Sequence, residues 1–241
     1  MRNLLIYSLG ILFFLGSCED NKKKAQTENE ADTPTEAIPE QPKAIEPQEI
    51  IENKNNFDKI TNENVVSFLT EYGKKNPETK VLLSTSLGEI EMKLFKDTPL
   101  HRANMVYLVK QNYFDETFFH RAVPEFIIQA GNSDLRSTQV KRAKLGKDYL
   151  LPAEIIPGRI HEYGTVSGAK EYRENPDHKS APYEFFIFLG PKTSASHLNG
   201  KYTIFGKVTK GMEVVEAISE LETDSNEWPL RNIYIEATVL E

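Results

Sequence analysis

From Lys80 onward, apolar and polar positions alternate with a period of two over many short runs, a pattern that predicts strands. "KVLLSTSLGEIEMKLF" reads as a hairpin. Two strand-like runs flank Leu87-Gly88, and the second sets Ile90, Met92 and Leu94 against Glu89, Glu91 and Lys93. Further runs are "FFHRAVPEFIIQAG" (Phe118 to Gly131), "YGTVSGA", "PYEFFIFLG" and "KYTIFGKV". "NIYIEATVLE" closes the chain with Ile233, Ile235, Ala237 and Val239 on one face.

A helical period appears three times, once before Lys80 and twice within the alternation. "NFDKITNENVVSFLTEYGKKNPETK" places Val65, Phe68, Leu69 and Tyr72 at i, i+3, i+4 and i+7, with Thr61 as N-cap and Gly73 near the end. That apolar face can pack on the domain that follows or bind a partner. "DTPLHRANMVYLVKQNYF" starts a helix with Thr98 as N-cap and Pro99 at the first helical position, where the missing N–H costs nothing. In "TKGMEVVEAISELE", Val214, Ile218 and Leu221 mark another. Many strands with only two helices predict a closed antiparallel barrel or a sandwich, not a parallel α/β sheet, and about 160 residues suit one domain. Residues 132–160 carry no period. Arg136, Lys141, Arg142, Lys144 and Lys147 crowd there, and the stretch reads as a solvated loop.

Upstream the pattern changes in kind. "MRNLLIYSLGILFFLGSC" has a basic start, an apolar core from Leu4 to Leu15 and small residues before Cys18, the layout of an export signal. Its core is shorter than the roughly 20 residues that span a bilayer as a permanent helix. "LGSC" resembles the lipobox of bacterial lipoproteins, which implies a signal peptide over residues 1–17 and a lipid on Cys18. The alternative is an ordinary signal with an incidental cysteine. Cys18 is the only cysteine, so no internal disulfide is available. Residues 18–55 form an acidic segment with Pro34, Pro39, Pro42 and Pro47 and no aromatic residue. It cannot bury enough apolar surface to offset its ordering entropy and is expected to be a disordered tether. Residues 56–79 then form a helical extension, and residues 80–241 the barrel domain.

Without Arg2 the chain carries 28 bases against 36 acids, a net of −8; the tether accounts for −5, leaving −3 for residues 56–241. With no basic face apparent in that remainder, nucleic acid is not an expected partner. No P-loop, paired Gly-x-Gly fingerprint or nucleophile elbow occurs. The histidines His101, His120, His161, His178 and His197 lack metal-ligand spacing. The single thiol is assigned to the anchor. An enzyme built this way works without nucleophile, metal or cofactor.

One stretch raises a question of cost. "FFHRAVPEFIIQAG" is long and apolar enough to be buried, yet it carries Arg121 and Gln129, and an arginine is almost never fully buried without a partner. A strand-end ion pair would account for Arg121, and so would a role in chemistry. Rotation about an X–Pro amide breaks no bond and moves no proton; its barrier of about 18–20 kcal/mol is the resonance of the C–N bond. A catalyst needs an apolar cup for the pyrrolidine ring and a fixed donor better placed for the twisted amide than for either planar form. Arginine keeps its donors charged at any relevant pH.

The same stretch resembles the signature of cyclophilins, the peptidyl-prolyl isomerases, and the likeness continues through "GTVSGA", "EFFIFL" and "HLNGKYTIFGKVTKGMEVVEAI" in the same order. The resemblance implies an eight-stranded, closed antiparallel barrel with a helix over each end. It implies that Arg121, Gln129 and Tyr202 are catalytic: Arg121 hydrogen-bonds the proline unit, and Gln129 orients Arg121 or binds substrate backbone. Phe126, Ile127, Phe186 and Leu198 would line the proline pocket, with Ala169 touching the residue before proline and Lys170, Glu184 and His197 beside it.

Four of these positions depart from the usual family pattern. His197 stands where tryptophan often helps bind cyclosporin, and Tyr202 where histidine is common. Lys170 stands for asparagine and Glu184 for glutamine. Outside the pocket, Glu125 and Ala130 replace glycines. The sequence thus predicts a monomeric, lipid-anchored, exported isomerase of proline-containing unfolded or extended polypeptides in a bacterial envelope. The rivals are a peptide-binding or chaperone lipoprotein on the same barrel, with little catalysis, and an unrelated ligand-binding barrel.

Overall fold

The hairpin read in the sequence opens the sheet. In the computed structural model, which describes residues 59–170 and 175–241, β1 (Lys80–Thr85) turns through Ser86-Leu87 into β2 (Gly88–Leu94). The predicted signal peptide, Cys18 and the tether lie outside the described residues. After α2 (Pro99–Lys110) come β3 (Phe118–Val123) and β4 (Ile127–Asn132), with α1 (Val65–Lys75) preceding the hairpin. Then follow α3 (Arg136–Leu145), β5 (Thr165–Lys170), β6 (Ser180–Phe188), β7 (Ile204–Lys210), α4 (Met212–Ser219) and β8 (Glu236–Leu240).

All pairings are antiparallel, in the order β3-β4-β6-β5-β7-β2-β1-β8. The expected barrel is therefore curled but not closed by a continuous ladder. β3 and β8 meet only through the segment before β8, where Phe118 and Tyr234 form an isolated bridge. There Phe119 N donates to Ile233 O at 3.3 Å and Ile235 N to Thr117 O at 2.9 Å. Beyond that point β8 pairs with β1 along its other edge.

The main core fills the inner face with Val81, Leu83, Ile90, Met92, Ile128, Phe185 and Ile187, sealed at the ends by α2 and α4. α1 packs on the domain, which settles the two readings of its apolar face. Phe68 and Tyr72 set their rings edge-on to Tyr107 of α2 at 5.2 and 5.1 Å. Each fully buried side chain on that face, such as Val65 or Leu69, contributes about 1.5–3 kcal/mol. Gly73 permits the approach: a Cβ there would stand 3.0 Å from the Cβ of Ala103. Arg102 donates to the carbonyls of Gly73, Asn76 and Glu78, satisfying the end of α1.

Helix starts differ from the sequence reading. α1 begins four residues after Thr61, and neither Asn64 nor Thr98 caps with its side chain. At α2 the cap comes from afar: Glu154 accepts from Leu100 N and His101 N, both at 2.9 Å. The stretch read as a solvated loop contains α3. Its sequence has no apolar stripe to betray it, because tertiary hydrogen bonds hold it. Arg142 Nε donates to Tyr113 OH at 2.9 Å and Lys141 Nζ to Asp115 O at 2.6 Å, so two of the five cations are tied to the barrel.

Candidate active site

The period of two in "EFFIF" sends Phe185 and Ile187 into the main core and Phe186 and Phe188 to the opposite face of β6. On that opposite face the register sets Arg121 against Gln129 and Gln129 against Phe186, three neighbours across β3, β4 and β6. Ile127 pairs with Phe188 one step along. A second apolar cluster forms there from Ile127, Phe186, Phe188, Ala195 and Leu198, with Phe126 and Tyr202 packed on it.

The cluster does not close over. A groove of about 280 Å³ lies on it, lined by Arg121, Phe126, Ile127, Gln129, Ala169, Lys170, Phe186, His197, Leu198 and Tyr202. That volume is just below the range of about 300–1,000 Å³ of small-molecule pockets and suits a single cyclic side chain with adjoining backbone. Ten of the eleven residues singled out in the sequence for catalysis or substrate binding meet here, although they come from four strands, the turn between β3 and β4 and the turn after β6. The turn Lys192–Tyr202 brings three of them: Leu198 O accepts from Tyr202 N at 3.2 Å, and His197 lies tilted against Phe126 at 5.6 Å. Tyr202 sets its ring edge-on to Phe186 at 5.5 Å. Lys170 Nζ lies 4.8 Å over the Tyr202 ring and 2.8 Å from His178 Nδ1. Burial, with Lys201 adding to it, lowers the Lys170 amine below its ordinary value.

Glu184 is the exception. It does not line the groove, and it is not the carboxylate of Arg121. Its Oε2 accepts from Gln129 Nε2 at 2.9 Å and faces His120 Nε2 at 3.5 Å, while Oε1 lies 3.7 Å from Arg142 Nη2. Burial raises this carboxyl, but His120, Arg142 and Gln129 together outweigh burial and hold it below the usual carboxylate range. Glu184 thus bonds Gln129, which stands opposite Arg121 in the β3–β4 register. The carboxylate on Arg121 is Glu227, whose Oε2 accepts from Nε at 2.5 Å. Arg121 therefore makes an ion pair, from within β3, and also lines the groove.

Sequence reading also passed over His161. Its ring stacks on Phe186 at 5.8 Å and 10° and meets Phe188 edge-on, so it is buried directly beneath the groove's apolar cluster. Asn199 Oδ1 accepts from the His161 backbone N–H and from Nδ1, both at 2.8 Å, so Nδ1 carries the proton. Nε2 then accepts from the Ser167 hydroxyl at 3.1 Å. Burial pushes His161 below its ordinary value, which favours a neutral ring beneath the cluster. No spacing in the chain signals this histidine.

Comparison with known proteins agrees with the groove and the topology. The family model described as cyclophilin type peptidyl-prolyl cis-trans isomerase/CLD matches residues 80–239. A peptidyl-prolyl cis-trans isomerase of Acinetobacter baylyi is 34% identical over 150 residues, covering 61% of this chain and 75% of its own. Peptidyl-prolyl cis-trans isomerase A of Dickeya dadantii is 32% identical over 168 residues, covering 68% of this chain and 82% of its own. A cyclophilin-type isomerase of Cryptosporidium parvum superposes with a TM-score of 0.57 at 26% identity, over 68% of this chain and 98% of that one. The same protein in the presence of the dipeptide Ala-Pro gives 0.55 at 26% identity, over 67% and 99%. With the matched segment running from β1 into β8 and the groove residues falling inside it, the chain belongs to the cyclophilin-type peptidyl-prolyl cis-trans isomerases.

Proposed function

We propose that the groove isomerises X–Pro bonds of exported polypeptides, with Arg121 as the catalytic cation. The observation that carries this reading is the placement of Arg121 at the rim of an apolar cup otherwise lined by Phe126, Ile127, Phe186 and Leu198. The cup takes the pyrrolidine ring. Twisting the amide ends the resonance that makes it planar and returns the lone pair to nitrogen. A guanidinium N–H held at the cup's edge hydrogen-bonds that pyramidal nitrogen and gains nothing comparable from either planar isomer, so it lowers the barrier and not only the ground state. Gln129, opposite Arg121 in register, steadies it or binds substrate backbone; Tyr202 supplies a hydroxyl on the far side. Ala169 leaves room for the residue before proline. Lys170 and His197 border the same end, and Glu184 acts behind Gln129.

The test is Arg121→Ala in the full chain, assayed for kcat/KM on a proline peptide beside a thermal melt. A correctly folded variant losing about a hundredfold or more agrees with the role; wild-type turnover sinks it. The N-terminal pattern supports a lipid on Cys18 and a tether that leaves the domain free to meet polypeptides at the membrane surface, as a monomer. Cys18→Ser should release the protein from the membrane fraction or block its processing. A serine variant that is processed and still membrane-bound would refute the anchor.

A further inference from the structure

We infer that Glu227 is the positioning residue of Arg121: it grips the guanidinium by Nε and leaves the terminal N–H groups aimed into the groove. The loop between α4 and β8 delivers it. Asp224 Oδ1 accepts from Asn226 N at 2.8 Å and Trp228 N at 3.0 Å, and Glu227 N donates to Asp224 O at 3.1 Å. The turn closes on itself with Glu227 held at φ 64, a conformation that persists in a non-glycine residue only where its surroundings impose it. Two contacts fasten the turn to β3 on either side of Arg121. Ala122 N donates to Glu227 O at 2.9 Å. Trp228 packs edge-on against Phe118 at 5.5 Å and tilted over His120 at 5.8 Å.

Among the described residues Arg121 makes no other hydrogen bond or ion pair. A guanidinium is planar, so an acceptor at Nε sets the orientation of the whole fork and leaves four terminal N–H donors for a substrate. Both partners are more than a third exposed (34% and 45% of their side chains), and pairs so exposed add little to stability. The contact is therefore geometric in effect. Its removal should spare the fold and loosen the donor.

The inference rests on Arg121 being the catalytic cation, and its test separates the two claims. In the full chain, kcat and KM on a proline peptide are measured for Glu227→Ala, Glu227→Gln, Arg121→Ala and the double variant Arg121→Ala/Glu227→Ala. Arg121 Nε–H exchange is followed by NMR, and each variant is melted. A donor that is loosened but not lost should cost about tenfold in kcat/KM for Glu227→Ala, mostly in kcat, with unchanged melting and faster Nε–H exchange. Glu227→Gln, which keeps an acceptor at the same reach, should recover most of the loss. If Glu227 acts through Arg121, the double variant matches Arg121→Ala alone, the signature of full coupling. Folded Glu227→Ala at or above wild-type kcat/KM beside an inactive Arg121→Ala overturns the positioning role alone. A further loss in the double variant does the same. Wild-type activity in Arg121→Ala overturns the reading of Arg121, and this inference with it.

Discussion

The two apolar clusters draw on the same strands and differ in what covers them. Phe185, Ile187, Ile128 and Ala130 point into the barrel, where α2 and α4 close the ends and α1 lies over α2. Phe186, Phe188, Ile127 and Gln129 point the other way, where among the described residues no α-helix covers them and the segment Lys192–Tyr202, opening with a 3-10 turn, joins Phe126 in the rim. Both clusters exclude water from their deepest side chains: Phe185 is 1% exposed and Phe186 3%. The difference lies behind them. The inner cluster rests on hydrocarbon, whereas the outer one rests on His161, a neutral polar plate fixed by Asn199 and Ser167. An apolar floor can stay open to solvent when its geometry is held by ladder and polar bonds, so that it does not collapse. The same alternating run thus supplies a stability core on one face and a binding surface on the other.

The largest effect that would sharpen this contrast is on the inner face. Phe185→Ala should cost about 3–5 kcal/mol of stability and depress melting by ten degrees or more, with kcat/KM per folded molecule nearly unchanged. Phe126→Ala, at the half-buried rim, should do the reverse: melting shifts by no more than a few degrees, while kcat/KM falls about tenfold, roughly 1.4 kcal/mol. Equal losses of stability in the two variants would break the distinction between core and groove.

A third variant addresses the turn that supports the rim. Glu125 sits at φ 55 between β3 and β4, and the family resemblance places glycine there. Glu125→Gly should relieve left-handed strain and gain about 0.5–1 kcal/mol in denaturant unfolding, with activity unchanged. A loss would mean that the strain is offset by contacts of the glutamate side chain.

The smallest effect concerns the histidine buried beneath the groove. Because His161 is depressed in the folded state, the unfolded chain binds its proton first as pH falls below the ordinary value of 6.5. Its contribution to stability is present above that pH and lost on acidification through the folded value. An NMR titration should find the His161 ring less protonated at pH 6.5 than a free imidazole, and His161→Gln should flatten the stability profile as pH falls below about 6.5. A half-protonated His161 at pH 6.5 would show that burial does not depress this imidazole.

Much of this molecule was legible along the chain. The strands, α2, α4 and the apolar face of α1 follow from periods of two and 3.6, which are local and survive without knowledge of the fold. The groove residues were legible because their motifs occur in a recognisable order, and the strand period then puts Arg121, Gln129 and Phe186 on one side. What the tertiary structure alone decided is which groups hold those residues. Glu227 stands 106 residues from Arg121, His161 lacks any motif, and Glu184 turned from the arginine to Gln129 and His120. α3 has no stripe to announce it, and α2 takes its cap from Glu154, more than fifty residues away. Periodicity is a property of neighbours in sequence, fixed by backbone geometry. The partner of a charge or a helix end is chosen by the path of distant loops through space, and no one-dimensional pattern carries that path.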